Sequence, residues 1–400
     1  MESKNRQYKN RQTNEERCCE PCCAPETQTS DISQREDKLY RGEGDKEYSC
    51  HWITGYIDTP AGRVPRIKTT LKFKDRLGSW KVRWGIKRMN YAVPPGLYAV
   101  GDPNSESPVF VSANYKMSFD ILRSHLNDMS AWMLVLDTRS INVWCAAGKG
   151  TFGTDEIMNR IRQTDLSKVV SHQTIIVPQL GAPGVSAHKV KQHCGYRVIY
   201  GPVHVSDIRR FVANGLKATP EMRRVRFGLI DRLILTPTEM VGWGKRMFWS
   251  KQGFMIMLTL ILISGLYKRG FAIDEAVHLG MVALGLYFVA FLCGTLFTPV
   301  LLPWLPGRAF STKGAFLGLL VAFGVGWLRW DSLAMLGIKI NILAWLFLLP
   351  AISSFVAVTF VGSSTYTSLS GVLKEMKLAV PVHIAATIIS IVLLLLGQFF

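Results

Sequence analysis

Long apolar runs in the last 150 residues constrain the fold more than any other feature of the sequence. Between Lys251 and Phe400 there are only nine Lys or Arg and four Asp or Glu residues. A helix needs about 20 apolar residues to cross a bilayer. Five runs approach that length, and the first extends back through Phe248 and Trp249. They are Gly253–Tyr267, Val277–Leu302, Ala315–Trp330, Ile340–Val361 and Leu378–Leu396. The sequence therefore predicts an all-α transmembrane domain, residues 247–400, of about five helices.

Basic residues beside these runs predict their orientation, because Lys and Arg favour the cytoplasmic side of a membrane. With the amino terminus inside, seven Lys or Arg flank the inner ends of the runs and four flank the outer ends. The expected location is the inner (cytoplasmic) membrane, crossed several times, with the preceding domain in the cytoplasm. Cys293 and His383 lie within predicted spans, so transport is an alternative to a plain anchor.

The front of the chain is polar, and it carries most of the net formal charge of +18. Its first 48 residues are rich in Lys, Glu, Gln and Asn and predict a disordered tail without a secretory signal. This tail contains four thiols that could bind a soft metal ion or have no structural role. They are Cys18, Cys19, Cys22 and Cys23. No nucleic-acid recognition motif accompanies the basic charge, so no nucleic-acid partner is expected.

Residues 49–240 contain short apolar runs that alternate with amphipathic segments. Short strands are expected at "HWITGYIDT", "RIKTTLKF" and "YAVPPGLYAVG". Further strands, "PVFVSAN", "AWMLVLD", "INVWCA", "QTIIVPQ" and "YRVIYGPV", are separated by helical segments. Thr154 is the expected amino-terminal cap of one helix, and Gly215 the expected end of another. This order predicts a Rossmann-like α/β domain with a mostly parallel sheet.

Ligands bind to such sheets beyond the carboxyl ends of the strands. Three predicted strand ends are rich in small or turn residues: "CAAGKGTFG", "PQLGAPG" and "YGPV". Glycine lets the backbone approach a large ligand closely, although ordinary turns use the same residues. The candidate binding residues chosen on this ground are Gly153, Gln179, Gly181, Gly201 and Pro202.

The stretch "NVWCAAGKG" at Asn142–Gly150 is close to a phosphate-binding loop but departs from it twice. That loop requires glycine where Val143 stands and Ser or Thr where Gly150 stands. Nucleotide hydrolysis is therefore not expected. Cys145 is the unusual residue, and it is either a buried small hydrophobe or a reactive thiol. As a nucleophile it would need a base, for which the sequence offers four histidines: His172, His188, His193 and His204.

The eight residues Asn142-Val143-Trp144-Cys145-Ala146-Ala147-Gly148-Lys149 resemble the signature of the mercury-methylating corrinoid proteins, the HgcA family. "PVFVSANYKMSFD" at Pro108–Asp120 is similar to that family as well. The resemblance covers residues 49–240 in detail and the membrane half in architecture. It does not include the four-cysteine stretch "CCEPCC" at residues 18–23 of the tail. It implies a corrinoid-binding domain, similar to part of the large subunit of the corrinoid iron-sulfur protein, followed by about five spans.

The resemblance also implies roles for individual residues. Cys145 would be the lower axial ligand of cobalt, and residues 142–149 with Gly150 and Thr151 would surround the corrin. Asn142 and Trp144 would support the loop, and Lys149 would hold a corrin amide or the thiolate. Hg(II) is an electrophile that needs methyl as a carbanion equivalent or a radical, and a thiolate ligand stabilises the more oxidised cobalt left behind. The implied reaction is methyl transfer to Hg(II), giving methylmercury.

The implied partners are a ferredoxin-like protein with two [4Fe-4S] clusters and a methyltetrahydrofolate-linked methyltransferase. A separate reductant is expected because the chain contains no ferredoxin-type run of cysteines. Two alternatives stay open at this point. The first is a membrane-anchored corrinoid methyl carrier for another acceptor, of the acetyl-CoA pathway type. The second is a membrane transporter with a regulatory cytoplasmic domain.

Overall fold

The computed structural model describes residues 50–267, 270–271, 273–328, 336–360 and 369–397. The predicted disordered tail and its four cysteines lie outside these residues. The chain divides into two compact units, one ending at Arg226 and the other beginning at Phe227. The domain limits expected from the sequence, 49–240 and 247–400, stay predictions, and a helix at Leu229–Phe248 belongs to the second unit.

Within the described part of the first unit, seven strands form one sheet with the order β1-β2-β3-β5-β4-β6-β7. The strands are β1 Ile53–Thr59, β2 Gly62–Ile67, β3 Gly96–Val100, β4 Val109–Ala113, β5 Ala131–Leu136, β6 Thr174–Val177 and β7 Arg197–Tyr200. Strands β4 to β7 run parallel to their neighbours within that group, whereas β1 pairs antiparallel with β2 and β3 antiparallel with β5. The α/β class is confirmed, with a sheet of mixed direction.

Strand β5 is buried on both faces of the sheet. All six of its residues are buried, as expected for a central strand between two helical layers. Side chains alternate between the faces of a strand. Accordingly Trp132, Leu134 and Leu136 belong to one apolar core, and Met133 and Val135 belong to the other.

The helices of this unit complete the two layers. They are α1 Phe73–Arg83, α2 Lys116–His125, α3 Val143–Lys149, α4 Thr154–Gln163, α5 Leu166–Val169, α6 Ala187–Cys194 and α7 Ile208–Ala213. Gly215 follows α7 with a left-handed φ of 63°, which agrees with its expected place at a helix end.

Two local predictions, at the starts of α1 and α4, are wrong. The strand expected at "RIKTTLKF" ends at Ile67, and helix α1 begins six residues later because the Asp75 carboxylate accepts a hydrogen bond from the Lys72 backbone N–H at 3.0 Å. Thr154 is not the cap of α4, since Gly153 occupies that position. The Thr154 hydroxyl instead accepts a hydrogen bond from the Ser186 backbone N–H at 2.8 Å and joins two loops.

Helices α1 and α2 are joined by a buried ion cluster of Asp75, Lys116, Asp120 and Arg123. Lys116 Nζ lies 2.9 Å from Asp75 Oδ1 and 2.6 Å from Asp120 Oδ2. Arg123 lies 3.1 Å from Asp75 and 2.8 Å from Asp120. Burial alone would raise the pKa of Asp75, but Lys116 and the hydrogen bond from His51 hold that pKa well below its usual range. The two negative and two positive charges therefore compensate one another inside the unit.

The second unit is helical. Its described helices are α8 Leu229–Phe248, α9 Lys251–Gly265, α10 Ile273–Leu292, α11 Thr298–Val300, α12 Phe310–Leu328, α13 Leu336–Phe360 and α14 Leu369–Gly397. A π-helical turn, Cys293–Phe297, joins α10 to α11, and two two-residue strands, β8 Leu266–Tyr267 and β9 Gly270–Phe271, form a small hairpin before α10.

Four described segments of this unit are long and apolar enough to cross a membrane. They are Ala276–Val300, Phe310–Leu328, Lys339–Phe360 and Leu373–Gly397. The first predicted span coincides with a shorter apolar helix, Lys251–Ile263. Four of the five predicted spans thus have the required length, and the total of five stays a prediction.

Buried polar groups in the helical unit mostly pair with backbone carbonyls. Lys313 Nζ donates to the carbonyls of Leu302 at 2.6 Å and Leu305 at 2.8 Å. Arg232 donates to the Val300 carbonyl at 2.7 Å. These three carbonyls lie at the end of the α10–α11 segment and just after it, where the helix no longer supplies donors. The two cations therefore satisfy a helix end.

Candidate functional site

The strand order locates the candidate site. Strands β4 to β7 are parallel and lie in the spatial order β5-β4-β6-β7, so the chain direction across the sheet reverses between β4 and β6. Ligands of open α/β sheets bind outside the carboxyl ends of the strands at such a reversal. The loops that follow β5 and β6 lie at this edge, and they carry most of the residues predicted from the sequence.

The loop after β5 is tightly held and partly strained. Arg139 and Ser140 are consecutive non-glycine residues with left-handed φ angles of 54° and 60°. Such residues cost free energy unless their surroundings fix them. The buried Asn114 side chain, which follows β4, accepts hydrogen bonds from the backbone N–H groups of Thr138 at 3.1 Å and Ser140 at 3.2 Å. Asn114 thus fixes the chain just before the cysteine segment.

Cys145 lies in the first turn of helix α3. The Asn142 side chain caps this helix, because its Oδ1 accepts a hydrogen bond from the Cys145 backbone N–H at 2.9 Å. The strand predicted at "INVWCA" is therefore wrong: β5 ends at Leu136, and the asparagine cap turns Val143 and Trp144 into helical residues. Cys145 is half-buried, so its thiol is neither a core residue nor a fully exposed one.

The far end of α3 is open. Lys149 is exposed and stands four residues after Cys145, so the two share one side of the helix. Gly150 ends the helix with a left-handed φ of 80°. Gly148 is exposed, and a Cβ atom placed there would meet nothing within 4 Å. This end of the predicted motif leaves space beside the backbone.

Other glycines of the predicted site have a different role, because they let two loops interlock. A Cβ atom on Gly181 would lie 2.5 Å from Phe152 Cε1, and one on Gly153 would lie 2.7 Å from the Gly150 carbonyl oxygen. A Cβ atom on Gly184 would collide with the Phe152 carbonyl and lie 3.1 Å from Ala147 Cα. These glycines therefore make room for protein atoms, and their contact with a ligand stays a prediction.

Gln179 provides an unsatisfied polar group at the same edge. It begins the 3₁₀ turn Gln179–Gly184 directly after β6. Its side-chain oxygen Oε1 is buried and has no hydrogen-bond partner among the described residues. Buried polar atoms are normally paired, so an orphaned acceptor points to a missing donor.

Gly201 and Pro202 lie farther from the cysteine. Both are buried and follow β7, the outer strand of the parallel group. Three strand intervals separate β7 from β5, or roughly 14 Å at the usual strand spacing. The Gly201 backbone N–H donates to the Val177 carbonyl at 2.8 Å, so this turn supports the end of β6. The structure therefore brings residues 142–153 together with 179–184 and leaves 201–202 at the margin.

The structure adds Tyr115, Arg83 and Arg88 to the candidate site. Tyr115 is the second residue after β4 and is buried. Burial raises the pKa of its phenol, Arg88 and Arg83 lower that pKa in part, and charge on Cys145 raises it. The tyrosine thus lies within electrostatic reach of both the cysteine and two guanidinium groups. Its place at a strand end could have been predicted, whereas the arginines belong to a segment without a readable pattern.

The histidines considered as bases for Cys145 have other contacts. His172 precedes β6, at the opposite edge of the sheet, and its Nε2 lies 2.9 Å from the Ser107 carbonyl oxygen. His204 accepts a hydrogen bond from the Arg226 backbone N–H at 2.9 Å. His188 and His193 lie on α6, where they contact Ser186 and the Lys189 carbonyl. These contacts give no support to a Cys–His nucleophile.

The region just described is similar to parts of known proteins. Residues 87–212 match the family model of the CO dehydrogenase/acetyl-CoA synthase delta subunit, CdhD. The acetyl-CoA decarbonylase/synthase complex subunit gamma of Methanopyrus kandleri is 30% identical over 122 residues, which is 30% of this chain and 26% of that protein. Gamma subunit 2 of Methanosarcina thermophila is 32% identical over 120 residues, or 29% of this chain and 25% of that protein.

The gamma subunit of Archaeoglobus fulgidus gives the same result, with 29% identity over 119 residues, or 29% of this chain and 25% of that protein. The chain thus spans about a quarter of the length of these curated relatives. The family match includes the Cys145 loop, the Gln179 turn and the end of β7. The candidate site therefore lies inside a domain similar to the CdhD family, and the helical unit lies outside the matched residues.

Proposed function

We propose that the α/β unit, which the sequence predicts to span residues 49–240, binds a corrinoid and that the protein transfers methyl groups. The similarity to CdhD and to subunits of acetyl-CoA decarbonylase/synthase supports a methyl-transfer domain. One observation supports placing the corrinoid site at the carboxyl ends of the strands. Cys145 is a half-buried thiol in the first turn of α3 at this edge of the sheet. The helices long enough to cross a membrane support attachment of this domain to a membrane. We propose the inner membrane, with the site in the cytoplasm, from the Lys and Arg residues that flank the predicted spans.

The residues at this edge fit a large planar cofactor with amide side chains. Gly148 leaves open space beside the backbone, and Gln179 Oε1 offers an acceptor that lacks a donor among the described residues. Cys145 would serve as the axial ligand of cobalt, and Lys149 would bind a corrin amide or the thiolate. The other proposed contacts come from the same two loops and from the turn after β7: Val143, Trp144, Ala146, Ala147, Gly150, Thr151, Gly153, Gly181, Gly201 and Pro202.

A bound corrinoid supplies a cobalt centre that takes up a methyl group and gives it to an acceptor. The protein's own contribution is to hold the thiol. Asn142 fixes the backbone of Cys145, and Asn114 fixes the loop before it. Phe152 packs against Gly181, so the two loops are in direct contact. Cys145 therefore presents its sulfur on a rigid frame, as a ligand that tunes a metal must.

Hg(II) is the acceptor that we propose on the basis of Cys145 and its eight-residue motif. Hg(II) is an electrophile, so it must receive the methyl group with an electron pair or as a radical. A thiolate is a strongly electron-donating ligand and favours either route. Reduction would then come from the ferredoxin-like partner with two [4Fe-4S] clusters, and methyl groups from the methyltetrahydrofolate-linked methyltransferase.

A methyl carrier of the acetyl-CoA pathway type is the second candidate. The names of the similar proteins, all subunits of acetyl-CoA decarbonylase/synthase, support this candidate more directly than they support Hg(II). The two candidates share the corrinoid and differ in the acceptor. They also differ in what Cys145 must do, since a carrier that releases methyl as a cation equivalent does not need a thiolate ligand.

The first test is the anaerobic ultraviolet–visible spectrum of the purified full chain with added methylcobalamin. We expect the bound chromophore to shift relative to the free compound, and Cys145→Ala to reverse the shift. Cys194→Ala is the matched control, because Cys194 is a half-buried cysteine of the same unit on α6. Failure of the chain to retain the compound would overturn the corrinoid proposal.

The acceptor is tested by incubating the methylated protein with Hg(II) under reducing conditions and measuring methylmercury by mass spectrometry. We expect methylmercury from the unaltered chain and a loss of at least tenfold with Cys145→Thr, which retains the size of the side chain and removes the sulfur. Corrinoid binding without methylmercury, or methylmercury formation that survives Cys145→Thr, would favour the carrier.

A further inference from the structure

Helix α1, Phe73–Arg83, presents an apolar stripe to solvent. Its inner side is buried through Asp75, a member of the ion cluster, and Val82. On its outer side Phe73 is 78% exposed, Trp80 is 66% exposed, and Leu77 and Trp84 are 36% and 40% exposed. Large apolar side chains grouped on a surface in this way mark an interaction site.

The spacing of these four residues makes the stripe continuous. They stand four, three and four residues apart, and Trp84 caps the carboxyl end of the helix. At about 100° per residue they fall within an arc of roughly 60° on one side of the helix. Val82 and Asp75 fall on the opposite side by the same calculation. The outer stripe, Phe73, Leu77, Trp80 and Trp84, therefore points directly away from the body of the unit.

Basic residues border the outer stripe on both sides. Lys74 and Lys81 fall along one border, and Lys72 and Arg76 fall along the other. All four are exposed. The acidic residue within the helix is Asp75, which is buried and already paired with Lys116 and Arg123. The outward surface of α1 thus combines aromatic side chains with uncompensated positive charge.

We propose that α1 lies on the surface of an anionic bilayer, with the outer stripe in the headgroup region. Amphipathic helices bind membranes through an apolar face with Trp and Phe, flanked by Lys and Arg. Tryptophan favours the interface between water and lipid, and each nearby basic residue adds attraction to anionic lipid. The helices of the same chain that are long enough to span a membrane supply the membrane to which α1 would bind.

Binding of α1 would bring the candidate site to the lipid surface, because the same segment contributes to that site. Arg83 closes α1, and Arg88 follows five residues later and hydrogen-bonds Tyr115. Tyr91 packs edge-to-face on Tyr115 with ring centroids 6.4 Å apart. This inference stands on the exposure and charge of α1 and does not depend on the corrinoid proposal.

The test is photo-cross-linking of the full chain with a benzophenone amino acid in place of Trp80. The chain is reconstituted into nanodiscs that contain 40% phosphatidylglycerol in phosphatidylcholine, irradiated, and analysed by intact-protein mass spectrometry. We expect a lipid adduct at position 80. The matched control is the same amino acid in place of Gln163, an exposed residue on α4, where no lipid adduct is expected. Comparable lipid adducts at both positions would overturn the proposal.

The mass of the cross-linked product also shows whether protein, and not lipid, covers the outer stripe. An adduct that joins position 80 to a peptide of this chain would mean that the stripe is covered by another segment, and an adduct of twice the mass would mean a second copy. Either result, or absence of any adduct, would overturn binding to the bilayer. All four stripe residues are exposed, so the substitution leaves the fold intact, and an unchanged melting temperature verifies this.

The charge requirement is tested separately with Lys74→Glu combined with Lys81→Glu. Loss of a basic residue near an anionic surface weakens binding about fivefold. We therefore expect the lipid adduct at position 80 to fall at least fivefold, and to fall similarly in nanodiscs of phosphatidylcholine alone. The control is Lys189→Glu combined with Lys191→Glu, two exposed lysines on α6, which should leave the adduct unchanged. Equal adducts in both lipid mixtures would overturn the electrostatic part of the proposal.

Discussion

Buried Lys and Arg side chains have different acceptors in the two units. In the α/β unit, Lys116 and Arg123 are buried against two carboxylates, Asp75 and Asp120. In the helical unit, the buried Lys313 instead donates to backbone carbonyls at a helix end. A carboxylate inside an apolar helical unit would add a second charge to desolvate, whereas a carbonyl at a helix end already requires a donor. In the helical unit the carbonyls of a helix end therefore provide the acceptors that carboxylates provide in the α/β unit.

The largest effect should follow from breaking the ion cluster with Arg123→Met. Removing one partner of a buried ion pair leaves an uncompensated charge and costs about 3–5 kcal/mol. Thermal unfolding of the full chain in detergent, followed by the circular dichroism of the sheet, would measure the loss. Arg209→Met is the control, because Arg209 pairs with Asp128 at the surface and such pairs contribute about 0–1 kcal/mol. Equal losses in the two variants would contradict compensation inside the cluster.

Lys313→Met should cost less, because the carbonyls of Leu302 and Leu305 lose a donor but no opposite charge is stranded. An unsatisfied buried acceptor costs about 1–3 kcal/mol. The expected result is lower thermal stability of the helical unit and faster proteolysis near residues 301–309. Lys245→Met, at an exposed lysine of α8, serves as the control. Equal losses of stability in Arg123→Met and Lys313→Met would contradict a difference between the two units in the cost of removing a buried cation.

An effect of the same order is expected from Gly181→Ala, which sharpens the comparison within the α/β unit. The added methyl group would meet the buried Phe152 ring, and overpacking of this kind costs about 1–3 kcal/mol. Gly148→Ala is the matched substitution in open space, and an alanine in a helix should leave stability unchanged or raise it by up to about 1 kcal/mol. Equal losses of stability in the unfolding curves of the two variants would contradict close packing of Gly181 against Phe152.

The smallest expected effect is that of Asn142→Ala. Loss of the side-chain cap of α3 should cost about 1 kcal/mol. We expect a modest decrease in melting temperature and a larger change in the reactivity of Cys145 toward a thiol reagent, because its backbone is no longer held. Asn142→Asp, which retains the acceptor, should restore the original reactivity. A rate that stays altered in Asn142→Asp would show that charge, not capping, governs the thiol.

The sequence allowed prediction of those parts of the fold that depend on local pattern. Buried strands such as β5 are continuous apolar runs, and the long apolar helices of the second unit are recognised by length. Helix α3 was mistaken for a strand because Val143 and Trp144 favour strands, and only the Asn142 cap overrides them. Helix α1 is not recognisable from the sequence, because its outer stripe is exposed among the described residues of its unit and its inner residue Asp75 is polar.

The candidate site was predictable at its centre and not at its edges. The motif around Cys145 is contiguous, so its residues were found together. The roles of Gly181 and Gly184 depend on Phe152, about 30 residues earlier in the chain, and no local pattern reveals that contact. Arg83 and Arg88 approach Tyr115 because ion pairs join α1 to α2, which begins directly after Tyr115, and this is a property of the tertiary structure.

The contact between the Phe152 ring and Gly181 has a consequence for how such chains can diverge. These two positions share one volume, so a larger residue at 181 is tolerated only if residue 152 becomes smaller. Related sequences should therefore change at these two positions in compensating pairs. Gly184 is different, because a Cβ there would meet backbone atoms of Phe152 and Ala147, and no change of side chain at those positions makes room for it.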